Sequence, residues 1–195
     1  MKKTFPILSV IALLIIFTSC SEEYELDKAA YKLIPYSGKE VLILQSTENK
    51  LDTLFLNGIE QYFVNDNHLA FFTDQYEVRM LNYKKYAPYA NRYVEVHPMI
   101  ELTATSTETT IKFGFGYEYA FVGQMFYTKE AYDSIPITQL TIGNRTLNDV
   151  IVFEADDTFD PLENPIERFY WSLSQGLLGF DERETQWRLI KKYTP

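Results

Sequence analysis

The sequence is poor in the residues that chemistry at a site usually requires. It has one cysteine and two histidines in 195 residues. His68 and His97 are far apart in the chain and do not fall in the short ligand spacings of zinc motifs. There is no Gly-x-Ser-x-Gly, no His-Glu-x-x-His, no Cys-x-x-Cys and no glycine-rich phosphate loop, so the usual local marks of hydrolases, metalloproteases, redox proteins and nucleotide enzymes are missing. The reading is therefore not an enzyme, with no cofactor and no metal site. A lone cysteine also excludes an internal disulfide. Positive charge is short as well: 18 Lys and Arg face 27 Asp and Glu, for a formal charge of −9. Such a chain is not expected to bind nucleic acid or to dock electrostatically on anionic headgroups. Few stretches keep a helical period, and no apolar run reaches the roughly 20 residues of a membrane-spanning helix.

What the chain does have is rings. Fifteen tyrosines and fourteen phenylalanines accompany many Thr, Val and Ile residues, a combination that suits pleated, half-buried surfaces. The expected fold is all-β with minor α: a single antiparallel curved sheet, or a β-sandwich or half-barrel. The length suits one domain, which at this size buries roughly 70% of its unfolded surface.

The first twenty residues, MKKTFPILSVIALLIIFTSC, have two lysines, an apolar run from Phe5 to Phe17 and small residues before Cys20. That three-part layout is a secretory signal peptide, 1–19, to be excluded from the fold. Phe17-Thr18-Ser19-Cys20 resembles the lipobox of bacterial lipoproteins, in which the cysteine is diacylated and becomes the mature N-terminus. The resemblance gives the lone thiol of Cys20 its use: lipidation. Ser21, Glu22 and Glu23 resemble the export signal of Bacteroidetes-type lipoproteins, which implies the outer face of the outer membrane and a membrane link through N-terminal acyl chains. Residues 20–37 are then expected to form a lipidated tether, with a helical turn between Leu26 and Leu33, and 38–195 a single β-rich domain.

Along that domain, KEVLILQS reads as a strand. KLDTLFLNGIEQYFV reads as a hairpin turning at Asn57-Gly58, with Leu56 opposite Ile59. YEVRML alternates as a strand, and NYKKYAPYANRY reads as a loop. This loop carries Tyr83, Tyr86, Tyr89 and Tyr93 with Lys84, Lys85 and Arg92, the one basic and aromatic cluster of an acidic chain, and is a candidate ligand or partner contact. MIELTATS and TIKFGFGYEYAF form the next hairpin. The latter sets Phe113, Phe115, Tyr117, Tyr119 and Phe121 on one face, expected to look into the core. Gly114 and Gly116 leave the other face bare, where a guest could sit or the sheet could bend.

TQLTIGNRTLNDVIVF turns at Gly143-Asn144. The acidic stretch EADDTFDPLENP holds Glu154, Asp156, Asp157, Asp160 and Glu163, but lacks the spacing and glycine of an EF-hand loop and reads as a solvated turn. ERFYWSLSQGLLGFDERETQWRLI gives three strands, with Leu178 and Phe180 answering Phe169, Trp171 and Leu173, and Trp187 and Leu189 continuing the row. This ending resembles the closing meander of small Bacteroidetes lipoproteins, a likeness that carries no activity.

The expected function is a surface-exposed binding or interaction module of the cell envelope, presenting itself to a glycan, a peptide or an envelope protein. The alternative is a lipid- or lipoprotein-handling carrier with an apolar concave sheet face.

Overall fold

The computed structural model describes residues 21–65, 73–87, 90–114, 125–154 and 166–195. The signal peptide with Cys20, the stretch HLAFF, Tyr89, Gly116, the rings from Phe115 to Phe121 and the acidic residues Asp156 to Glu163 lie outside these.

Alternation of apolar and polar residues produces one antiparallel sheet that curls into a half-barrel. In chain order the strands are β1 (Glu23–Tyr24), β2 (Val41–Ser46), β3 (Leu51–Asn65), β4 (Gln75–Ala87), β5 (Arg92–Ala104), β6 (Thr109–Phe113), β7 (Met125–Thr128), β8 (Thr138–Ile142), β9 (Arg145–Glu154), β10 (Ile166–Ser172), β11 (Gly176–Glu182) and β12 (Thr185–Tyr193). Across the sheet they run β7-β6-β5-β4-β3-β2-β12-β11-β10-β9-β8, and β1 adds to β4 in parallel. The last strand, β12, lies against β2 and so joins the β2–β7 half of the sheet to the β8–β12 half.

Curling brings distant strands into contact over the inner face. Phe113 of β6 has its ring centroid 4.7 Å from Phe153 of β9, 5.7 Å from Phe169 and 5.1 Å from Trp171 of β10. A short helix, α1 (Lys129–Ser134), is capped by Thr128, whose hydroxyl accepts from the Ala131 N–H at 3.1 Å. It lowers Tyr132 onto Phe113 and Phe153. The rings therefore fill the concave side. A smaller cluster of Val150, Tyr170 and Leu178 packs on the opposite face under Leu140, Ile142 and Leu147.

Four expectations are corrected. Asn57-Gly58 is not a hairpin turn: β3 runs straight through it with a bulge, the register with β4 shifting between Leu56 and Ile59. Gly58, at φ 105°, supplies the positive dihedral that a bulge and a type I′ turn both use. Its N–H donates to the Gly38 carbonyl at 2.8 Å.

Asn82 to Ala87 is strand, not loop. Leu81, Tyr83 and Ala87 are buried, and Lys85, which breaks the apolar pattern, points inward to meet Asp52 at 2.6 Å.

The segment after Ser21 is no tether. Leu26, Ala30, Ile34 and Tyr36 are buried, a 3-10 turn spans Ala30–Leu33, and β1 joins the sheet, so the domain begins well before residue 38. In the C-terminal meander a bulge between Tyr170 and Trp171, opposite Gly179 and Leu177, turns Leu177 toward Trp171 and sends Leu178 to the other face. Phe180 does answer Phe169, and the hairpins at Gly143-Asn144 and between β5 and β6 form as read.

Candidate functional site

Register assembles a row of side chains on the outer face of the sheet. Val41, Phe55, Lys84 and Glu95 stand opposite one another on β2, β3, β4 and β5, and Tyr193 of β12 faces Val41. In the next row Tyr86 faces Tyr93. Directly paired residues of antiparallel strands share a face, so all of these project outward, away from Leu54 and Tyr83.

Three rings touch. Phe55 meets Tyr93 edge-on with centroids 4.9 Å apart, and Tyr93 meets Tyr86 at 5.5 Å. Their exposures are 37%, 48% and 39%. Lys84 lies 3.5 Å from Glu95, whose carboxylate also accepts from the Asn57 amide, and the Tyr86 hydroxyl donates to Asn91. Tyr193 extends the surface, with the Lys191 ammonium 4.8 Å from its ring centroid. The result is a ridge of rings rimmed by hydroxyls, an amide and opposite charges. It can stack against an apolar or sugar surface and donate hydrogen bonds around the edge.

The four tyrosines of the expected contact are thus divided. Tyr86 and Tyr93 come together at the surface, whereas Tyr83 is completely buried on the opposite face and takes no part. Gly114 is covered, and its N–H continues the ladder by donating to the Met99 carbonyl at 3.1 Å, so it floors no open groove. Phe55 and Tyr193 were not anticipated. Phe55 was legible in principle, because Leu54 and Leu56 on either side of it already supply the core.

Two further surfaces stand out. Beyond the bulge, β3 and β4 form a ribbon on which Tyr62, Phe63 and Val64 are 41%, 43% and 36% exposed. A groove of about 210 Å³ lies between the β8–β9 turn and β12, over Leu147, Leu178 and Leu189, with Arg145 and Lys192 at its rim. Burial holds the Lys192 ammonium below the usual lysine range, and it donates to the Gln175 carbonyl at 2.9 Å.

Among the described residues no three His, Cys, Asp or Glu side chains are grouped to hold a metal, and no helix is long and apolar enough to cross a membrane. No protein-family model, curated protein or solved structure matches this chain.

Proposed function

We propose that this protein is a lipid-anchored module of the cell envelope, held in the outer membrane by acyl chains on Cys20 and displayed at the cell surface, where its β domain binds a partner rather than catalysing a reaction. The observation that carries the proposal is the outer-face cluster of Phe55, Tyr86 and Tyr93. Three large rings kept in mutual contact and more than a third exposed are out of place on a face with no partner. Tyrosine, apolar in body and polar at its tip, is enriched where surfaces meet. A glycan, a peptide or an envelope protein all present the flat and hydrogen-bonding features that such a ridge accommodates.

The packed inner face favours this reading over a carrier. Phe113, Tyr132, Phe153, Phe169 and Trp171 occupy the concave side themselves, where a carrier would keep room for its guest. The anchor is supported by Phe17-Thr18-Ser19-Cys20 and the solitary thiol, and surface display by Ser21-Glu22-Glu23.

Two measurements test the proposal. Cys20→Ser should remove the protein from the detergent phase in phase separation; persistence there would refute the anchor. Screened against immobilised glycans and peptides, the full chain should find a ligand whose affinity drops about tenfold or more in Phe55→Ser/Tyr93→Ser, the scale of a central interface residue, with thermal melting preserved. Ligand binding that ignores both substitutions would remove the cluster as the site.

A further inference from the structure

We infer that the outer end of the β3–β4 ribbon is a second membrane contact, with Tyr62, Phe63 and Val64 resting in the headgroup layer of the bilayer that receives the acyl chains. The inference rests on the lipid anchor at Cys20 proposed above.

Its first support is how little chain separates that cysteine from the sheet. The Glu22 N–H donates to the Asp74 carboxylate at 3.1 Å, and the Glu22 carbonyl accepts from the Gln75 N–H at 2.8 Å. Glu23 and Tyr24 then pair with Gln75 and Tyr76, and the Tyr24 and Tyr76 rings stack at 5.2 Å. Just behind, the buried carboxylate of Glu77 accepts from the Leu26 N–H and the Tyr31 hydroxyl, each at 2.7 Å. Two residues of fully extended chain reach about 7 Å. A lipid on Cys20 therefore enters the bilayer close to Gln75.

The second support is what stands there. Gln75 pairs with Asn65, and Val64, Phe63 and Tyr62 follow directly, opposite Tyr76, Glu77 and Val78. At the rise of a β-strand the three lie within about 10 Å of that pair. Being consecutive, they present apolar groups on both faces of the ribbon, and Gln61 to Asn65 contains no charge. Aromatic side chains favour the level where hydrocarbon gives way to headgroups.

The arrangement also explains how a domain without a tether displays its ridge. Phe55 lies eight residues back along β3 from Phe63, about 25 Å away at strand rise. With Phe63 at the membrane, the Phe55–Tyr86–Tyr93 cluster is held clear of it.

The test uses the full chain, purified from membranes and reconstituted into phosphatidylcholine vesicles, carrying Phe63→Trp or, on the other face of the ribbon, Tyr62→Trp. Lipid brominated near the headgroup should quench the emission that each substitution adds to that of Trp171 and Trp187, and lipid brominated at the chain ends should quench it far less. Unquenched emission from protein that floats with the vesicles and carries an acyl mass on Cys20 overturns the contact alone. Protein without that mass overturns the anchor and the contact with it.

Discussion

Gly176 lies directly beneath the ring of Tyr36. The Leu177 N–H donates to the Tyr36 hydroxyl at 2.7 Å, and a Cβ added at Gly176 would come 2.2 Å from that oxygen. Tyr36 also stands edge-on to Trp171 at 6.0 Å, so the contact fastens the N-terminal segment to the start of β11 across the core. Gly176 has φ 80° besides. Gly176→Ala combines backbone strain with a displaced ring and should cost about 2 kcal/mol or more in urea unfolding. A loss below about 0.5 kcal/mol would mean that Tyr36 moves aside freely.

Glu77 tests the status of the N-terminal segment. It is buried and gathers the Leu26 N–H, the Tyr31 hydroxyl and the Gln61 amide. Glu77→Ala leaves a buried N–H without its acceptor, at a cost of about 1–3 kcal/mol. Hydrogen exchange should accelerate over residues 23–34 well before the rest of the sheet responds. Unchanged exchange there would return the segment to the role of a loose tether.

Two carboxylates give the domain a defined acid sensitivity. Burial pushes the Asp149 carboxyl up, but the hydroxyls of Ser174 and Ser172 and the Ser174 N–H outweigh it and hold the group below its ordinary range. Burial likewise opposes ionisation of Glu40, and the N–H groups of Ser37, Gly38 and Lys39 win, again lowering it. Both groups bind a proton less readily folded than unfolded, so the unfolded chain takes up more protons as the pH falls. Their stabilisation is complete above about pH 5 and is lost through pH 4 and below. The urea midpoint should fall over that window, and Asp149→Asn should flatten the fall. An equal slope in the variant would assign the acid sensitivity elsewhere.

The two tryptophans should differ in weight. Trp171 is completely buried, with Phe113 and Phe169 centroids at 5.1 and 6.0 Å, and Trp171→Ala should cost about 3–5 kcal/mol. Trp187 is half-buried, stacked on Phe180 at 5.9 Å, and its removal should cost roughly half as much. Equal costs in denaturant melts would contradict the placement of Trp187 at the margin of the core.

Where pairing partners are close in the chain, the architecture was readable. Gly143-Asn144, the turn between β5 and β6, and the meander β10-β11-β12 all join adjacent strands through short polar links. Period-two alternation with turn residues between is enough to align such pairs, and it made an antiparallel β domain the evident choice. The inward direction of Ile111 and Phe113 followed from the same alternation.

Other decisions belonged to residues far away in the chain. Asn57-Gly58 offers one positive dihedral, and pairing of both halves of β3 with β4 made it a bulge rather than a turn. Lys85 looked like a loop residue until Asp52, on another strand, supplied a partner that lets an ammonium sit inside. The segment from Glu23 to Tyr36 is too sparse in apolar residues to announce a buried element; Glu77 and Gly176 hold it down, and neither is near it in sequence. Tyr83 and Tyr86 are chemically the same, and only the register of β4 against β3 and β5 sends one into the core and the other to the surface. Composition and alternation are local properties and determined the class of fold, whereas burial and the candidate site depend on which distant strand lies alongside, a choice made by packing the whole sheet at once.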